Sequence, residues 1–133
     1  LRAKGHEVRV LGPATRESSD YTDAAWAVGH AVADKQADFG ILICGTGIGT
    51  CISANKIPGV RAALVHDEIT AQMSRSHNDA NIICMSGDLL GMRLIEKIVD
   101  ICLATPFSGG RHAKRLEKLT QIERGVDPTA PRA

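Results

Sequence analysis

The chain has 133 residues, 44% of them hydrophobic, and a formal net charge of +1 at pH 7. This length fits one domain with a sizeable core, and the near-neutral charge gives no reason to expect nucleic acid or a membrane surface as a partner. No apolar run approaches the roughly 20 residues that a membrane-spanning helix needs, and the first residues do not form a signal-peptide pattern, so we expect a cytoplasmic protein.

The cysteine and aromatic content argues against several further kinds of site. The four cysteines are Cys44, Cys51, Cys84 and Cys102, with neither CxxC spacing nor a histidine pair at zinc-finger spacing. We therefore expect free thiols in a reducing compartment and no metal site. The aromatic residues are one Trp, one Tyr and two Phe, too few for a surface that stacks the bases of single-stranded nucleic acid.

Strand-like and helix-like segments alternate from the start of the chain. HEVRVLG alternates apolar and charged residues and predicts a strand over 6–12. TDAAWAVGHAVADKQ predicts a helix over 22–36, with Trp26 on its apolar side. DFGILIC lacks polar alternation, which predicts a strand over 38–44 that is buried on both faces.

The later patterns continue this alternation. They predict a helix from about Thr50 to the KIPG turn, a strand over 59–65, a polar helix over 67–76, a buried strand over 81–85, an apolar helix over 89–104 and a basic amphipathic helix over 111–124. The final residues, 126–133, have the composition of a disordered terminus. We therefore expect a single domain over 1–125 followed by a flexible tail.

The alternation of helices with continuous apolar strands predicts an α/β fold. Its most economical form is a doubly wound, Rossmann-like parallel sheet in three layers. Ligands of such sheets bind outside the carboxyl ends of the strands. The residues that follow positions 12, 44, 65 and 85 are therefore where a site is expected.

One of these positions carries the unusual segment ILICGTGIGTCISANK, residues 41–56. It lacks the lysine of a phosphate-binding P-loop, and Thr50 stands where the dinucleotide fingerprint needs its third glycine. What remains is a GxGxG turn that directs several backbone N–H groups to one point, aided by the helix dipole. Cys44 at its edge is a candidate base with a lowered pKa. The simpler interpretation is a tight turn with a core cysteine behind it.

Two further clusters of polar residues lie next to predicted strands, one just before a strand and one just after. SRSHNDAN brings together His77, Asn78 and Asp79, which can donate, accept and change charge near neutral pH, although Asn and Asp are also ordinary turn residues. His66 and Asp67 follow the strand predicted to end at residue 65, where Asp67 has the simpler role of a helix N-cap.

The last predicted helix carries a basic stripe. Arg111 and Arg115 are four residues apart and Lys118 lies one turn further on, so they share a face. Two arginines on one face suit bidentate capture of a phosphate. A solvated basic face is the alternative interpretation.

Taken together, ILICGTGIGTCISANK, SRSHNDAN and GGRHAKR, in this order, resemble the family of ribose-5-phosphate isomerase B and the galactose-6-phosphate isomerase subunits. The resemblance extends from residue 4 to about residue 124. It implies a cofactor-independent intramolecular oxidoreductase that interconverts an aldose and a ketose phosphate through an enediolate. Ribose 5-phosphate and ribulose 5-phosphate are the expected pair. A four- or six-carbon sugar phosphate, or a non-catalytic sugar-phosphate-binding partner subunit, is the alternative.

The resemblance also implies roles for individual residues. Cys44 would move the proton between C1 and C2, Thr46 would assist transfer between the two oxygens, and His77 would open the furanose ring. Substrate-binding roles would fall to Tyr21, Gly45, Gly47, Ile48, Gly49, Asn78, Arg111 and Arg115. No metal or organic cofactor is implied, and family members work as dimers or tetramers whose sites are built from two subunits.

Two departures from the family pattern accompany this resemblance. Family members usually begin with a strand that ends in an Asp-His pair, and we expect this strand and most of the first helix to be absent from the chain. Many relatives also carry an arginine at the position of Leu89 in SGDLLG. The second departure bears on how the phosphate is bound and on the length of the sugar.

Overall fold

The computed structural model describes residues 1–15 and 18–130. After a short 3-10 turn at Arg2–Lys4, three strands and five helices follow in chain order. They are α1 (Tyr21–Ala33), β1 (Gly40–Cys44), α2 (Ile48–Ala54), β2 (Ala62–Leu64), α3 (Glu68–Ser76), β3 (Ile82–Ser86), α4 (Met92–Ala104) and α5 (Arg111–Glu123). Apart from the predicted strand over 6–12, each predicted element is present, with ends that differ by a few residues.

The strands form one parallel sheet in the order β1-β3-β2, which confirms the predicted fold class. In the central strand β3, all five residues are buried. Its side chains alternate between two cores: Ile82 and Cys84 pack with α1 and α2, whereas Ile83 and Met85 pack with α3 and α4. The helices therefore cover both faces of the sheet, as the continuous apolar strand sequences predicted.

Small residues decide how α1 packs. Ala25 and Gly29 are buried, and a Cβ on Gly29 would lie 2.3 Å from Cδ1 of Ile57. The Ile57 side chain therefore packs directly on the backbone of α1 at Gly29, which leaves no room for an indole on this face. Trp26, predicted to lie on the apolar side, is 65% exposed and stacks on His30 with ring centroids 4.0 Å apart.

The strand predicted over 6–12 is wrong, since these residues pair with no strand. A strand needs a neighbour for its backbone hydrogen bonds, and the sheet among the described residues ends at β1. A cavity of about 340 Å³ lies between 6–11 and β1, with α1 as a further wall. Val10 is 75% exposed and Ile43 of β1 is 51% exposed, so β1 is also not buried on both faces as predicted.

The ends of the elements follow local chemistry. Asp67 is the N-cap of α3, and its carboxylate accepts a 2.7 Å hydrogen bond from the Thr70 backbone N–H, as predicted. Near the end of the chain, the backbone N–H of Thr129 donates to Oδ1 of Asp127. The predicted flexible tail includes residues 131–133, which lie outside the described residues.

Candidate active site

The carboxyl edge of the sheet carries the Cys-Gly segment. Cys44 is the last residue of β1, and α2 begins at Ile48, so only three residues join the strand to the helix. Gly47 takes φ +81°, and a Cβ there would lie 2.9 Å from the backbone carbon of Met85. Only glycine fits this conformation without strain, which explains why the turn brings its backbone so close to β3.

The loop closes around the Cys44 sulfur. The Gly47 N–H donates to Sγ at 3.2 Å, and the Thr50 hydroxyl lies 3.5 Å from it. Partial burial opposes ionisation of this thiol, but hydrogen bonds from Thr50, Gly47 and Thr46 outweigh it and lower the pKa of Cys44. The loop therefore stabilises the thiolate form of Cys44 relative to a thiol in water.

Thr46 and Tyr21 also contact this loop. Oγ1 of Thr46 accepts a 3.2 Å hydrogen bond from the Ile48 N–H, which fixes an exposed hydroxyl two residues from the thiol. The Tyr21 ring lies over Gly49, where a Cβ would meet Cζ of the ring at 2.6 Å. Tyr21 is half exposed, so the phenol is available at the rim of the loop.

A second loop, residues 86–89, is fastened to the first, and the sequence interpretation did not assign it a role. The Gly87 N–H donates to the Cys44 carbonyl at 2.8 Å, and the buried Ser86 hydroxyl donates to the Gly45 carbonyl. Asp88 is exposed, and a Cβ on Gly45 would lie 3.1 Å from its Oδ2. The signal was available, because polar residues follow β3 directly at the ligand side of the sheet.

His77 and Asn78 lie at the amino edge of the sheet instead. His77 ends α3, five residues before β3 begins, and Asn78 is exposed. The Arg61 guanidinium, just before β2, donates to the carbonyls of Asn78 and Asp79 at 3.2 and 3.0 Å. Asp79, which takes φ +44°, also pairs with Arg75 at 2.9 Å. These bonds make the turn that carries His77 a fixed feature rather than a loose loop.

The start of α5 joins this amino-edge group. The imidazole of His112 stacks on that of His77, with ring centroids 4.2 Å apart and an angle of 11° between the planes. Arg111 and Arg115 flank His112 and are exposed. Burial lowers the pKa of His112, and the charges of His77, Arg111 and Arg115 lower it further. His112 was also missed, because only the tertiary structure brings the two histidines together.

The predicted site residues therefore form two separate groups. The carboxyl-edge group contains Tyr21 and residues 44–49, and the amino-edge group contains His77, Asn78, Arg111 and Arg115. Strands β1 and β3 have five residues each, so the two edges are about 13 Å apart at roughly 3.3 Å per residue. Within one chain, the two groups do not share a pocket. Among residues 1–15 and 18–130, no group of three or more His, Cys, Asp or Glu side chains could hold a metal ion.

Comparisons with known proteins identify the family. The family model described as Ribose/Galactose Isomerase matches residues 1–119. The chain belongs to this family. A relative from Escherichia coli, ribose-5-phosphate isomerase B, is 43% identical over 123 residues, which cover 92% of this chain and 83% of the relative. D-erythrulose-4-phosphate isomerase from Pectobacterium atrosepticum is 41% identical over 109 residues, with coverage of 82% and 72%.

A solved structure of a ribose/galactose isomerase family member supports the same assignment. Ribose-5-phosphate isomerase B from Clostridium thermocellum superposes with a TM-score of 0.92 at 45% identity, covering 93% of this chain and 84% of that protein. The family resemblance seen in the sequence is therefore confirmed. In the part of the chain that the structure describes, no helix has the length and apolar character needed to cross a membrane.

Proposed function

We propose that this protein interconverts ribose 5-phosphate and ribulose 5-phosphate. The observation that carries the proposal is the Cys44 thiol, held at the edge of a glycine loop whose hydrogen bonds lower its pKa. Membership of the ribose/galactose isomerase family supports the reaction class. A thiolate that moves a proton between adjacent carbons needs no cofactor, because the electrons stay within the substrate.

The chemical steps follow from the positions around Cys44. The thiolate removes the C2 proton of the open-chain aldose, and the electron pair of that bond forms the C1–C2 double bond of an enediolate. The same thiol returns its proton to C1, which gives the ketose. Thr46, two residues away, passes the hydroxyl proton between O1 and O2. The backbone N–H groups of Gly45, Gly47, Ile48 and Gly49 stabilise the enediolate oxygens, and Tyr21 contacts the sugar.

A complete site requires a second copy of the chain. The carboxyl-edge group would transfer the proton, and the amino-edge group would open the ring and bind phosphate. The two groups lie on opposite edges of one sheet, about 13 Å apart. A second protomer can supply His77, Asn78, Arg111 and Arg115 to the Cys44 loop of the first. Exposed apolar side chains on α5 support this assembly: Leu119 is 44% and Ile122 is 57% exposed. We propose a homodimer, alone or paired into a tetramer, with shared sites.

The proposed compartment is the cytoplasm. All four cysteines are free thiols, which suits a reducing environment.

The experiment that tests the function is conversion of ribose 5-phosphate to ribulose 5-phosphate by metal-free protein. Cys44→Ala should lower kcat by about 10²- to 10⁴-fold, the range typical of a lost general base, while substrate binding is largely retained. Cys102→Ala is the matched control, because Cys102 is a buried core thiol on α4. Full turnover by the Cys44→Ala variant would overturn the assignment of the base.

A second candidate substrate is a four-carbon sugar phosphate, as acted on by the Pectobacterium relative. The carboxyl-edge group acts only on the first two carbons of the sugar, so its chemistry is the same for a four-carbon and a five-carbon sugar phosphate. Comparing kcat/KM for ribose 5-phosphate and erythrose 4-phosphate decides between them. A higher value for the four-carbon sugar would replace the proposed substrate and leave the role of Cys44 unchanged.

A further inference from the structure

The stacked pair His77–His112 is the most specific contact of the amino-edge group. The two rings are nearly parallel, at 11°, with centroids 4.2 Å apart. His112 is 8% exposed, so its ring is held by the protein on the side away from His77. A hydrogen bond from the Ser108 N–H to the Ser76 carbonyl, at 2.9 Å, joins the two segments next to the histidines.

This contact limits the freedom of the His77 ring. His77 is the last, half-buried residue of a helix, where a side chain has several rotamers within reach. A flat partner at stacking distance allows the imidazole to slide but not to tilt, since tilting breaks the face-to-face contact. The ring nitrogens of His77 are therefore kept in one plane.

The surroundings of the partner ring favour its neutral form, which suits this role. Burial, together with the neighbouring His77, Arg111 and Arg115, lowers the pKa of His112. A neutral imidazole stacks on His77 without placing another positive charge beside it.

We propose that His112 is a positioning residue that holds the His77 imidazole in the orientation needed to open the furanose ring of the substrate. The inference rests on the proposed function. In the step concerned, His77 donates a proton to the ring oxygen, the bond from that oxygen to C1 breaks, and the C1 hydroxyl loses its proton to water as the aldehyde forms. His112 acts through His77 and does not touch the sugar.

One substrate pair separates ring opening from proton transfer. Ribose 5-phosphate is a closed furanose, so its conversion requires ring opening before the C2 proton is accessible. Ribulose 5-phosphate cannot close such a ring, because its carbonyl is at C2 and O5 carries the phosphate. Exchange of its C1 hydrogen with D2O therefore reports on the Cys44 step alone. A residue that works through His77 affects the first rate much more than the second.

The test compares His112→Leu, which fills the space without a planar ring, with His112→Phe, which keeps one. We expect His112→Leu to lower the rate of ribose 5-phosphate conversion about tenfold or more. This is less than the roughly 10²- to 10⁴-fold contribution of a general acid, because His77 is misplaced rather than removed. The C1 exchange of His112→Leu on ribulose 5-phosphate, followed by NMR, should stay within about threefold of the unmodified protein. The phenylalanine variant should retain both rates. His30→Ala removes another stacked histidine and serves as the control.

The outcomes divide cleanly. Equal losses of both rates in His112→Leu, no loss of either, or failure of His112→Phe to retain ring-dependent conversion overturns the positioning role. Absence of both activities in the unmodified protein overturns the proposed function instead, and the two failures are therefore distinguishable.

Discussion

The two edges of the sheet carry polar groups of different kinds. At the carboxyl edge, a glycine turn places backbone N–H groups around one thiol, and most contacts lie within residues 44–50. At the amino edge, the predicted site side chains come from the turn after α3 and from α5, which are separated by more than 30 residues and meet through a histidine stack. The first group is built by local backbone geometry and the second by tertiary packing.

This difference has a consequence for assembly. A turn between a strand and a helix presents its groups wherever that strand ends, so the carboxyl-edge group is complete in one chain. The amino-edge group lies at the opposite end of the strands, so in the proposed shared site it acts when a second copy of the chain brings it to a Cys44 loop. The reaction then depends on the interface as well as on the thiol.

The largest effect is expected when two inactive variants are mixed, because this tests whether the two edge groups form one shared site. Cys44→Ala disables the carboxyl-edge group and His77→Ala the amino-edge group, so each homodimer should be inactive. In a mixed dimer, one of the two sites receives both intact groups, and random mixing should restore about one quarter of the original activity. The measurement is ribose 5-phosphate turnover after joint unfolding and refolding. Mixtures that remain inactive while forming heterodimers would contradict the shared site.

Loss of a phosphate contact should have the next largest effect. Arg115→Ala removes a charge-assisted hydrogen bond worth about 1.5–3 kcal/mol, so KM for ribose 5-phosphate should rise about 10- to 150-fold. Turnover of unphosphorylated ribose, where it can be measured, should change little. Lys118→Ala, one turn further along α5, is the control. An unchanged preference for phosphorylated over free sugar would remove Arg115 from the phosphate site.

The smallest effect is expected for Thr50→Val, which tests how the carboxyl-edge group lowers the pKa of Cys44. Thr50 is 1% exposed, and its hydroxyl lies 3.5 Å from the Cys44 sulfur, where their hydrogen bond lowers the pKa of the thiol. The thiolate is the active form, so kcat/KM rises as pH increases through that pKa. Removing the Thr50 hydroxyl raises the pKa, and the rising part of the kcat/KM–pH profile should move to higher pH.

The control for this measurement is Thr120→Val, an exposed threonine on α5. The rising part of the kcat/KM–pH profile should stay at the same pH in Thr120→Val. The plateau at high pH should be the same in the unmodified protein and in both variants. A rising part that does not move in Thr50→Val would show that Thr50 leaves the Cys44 pKa unchanged.

Much of the fold could be predicted from local patterns. The first four residues of β3 are apolar without interruption, which is typical of a strand covered on both faces, and the structure buries these and Ser86. Asp67 before a helical pattern predicted an N-cap, and in the structure its carboxylate accepts from the Thr70 N–H. The GxGxG sequence likewise predicted a turn that directs several backbone N–H groups to one point, with Cys44 at its edge. Each of these features depends on neighbours within about one helical turn.

Other features depended on distant parts of the chain. The alternation over 6–12 is that of a strand, yet no strand pairs with it among the described residues. Trp26 is exposed because the buried face of α1 is taken by Gly29 against Ile57, which lies in the turn after α2, and periodicity alone does not contain this contact. The stack of His112 on His77 joins residues 35 positions apart.

The sequence by itself determined the parallel sheet, the thiol at the end of β1 and the residue types of the candidate site, because these follow from hydrophobic periodicity and turn chemistry. The tertiary structure alone decided which of those residues are neighbours. It placed Cys44 and His77 at opposite ends of parallel strands, and it gave His77 a partner in His112. The direction of a parallel strand sends residues before it to one edge and residues after it to the other.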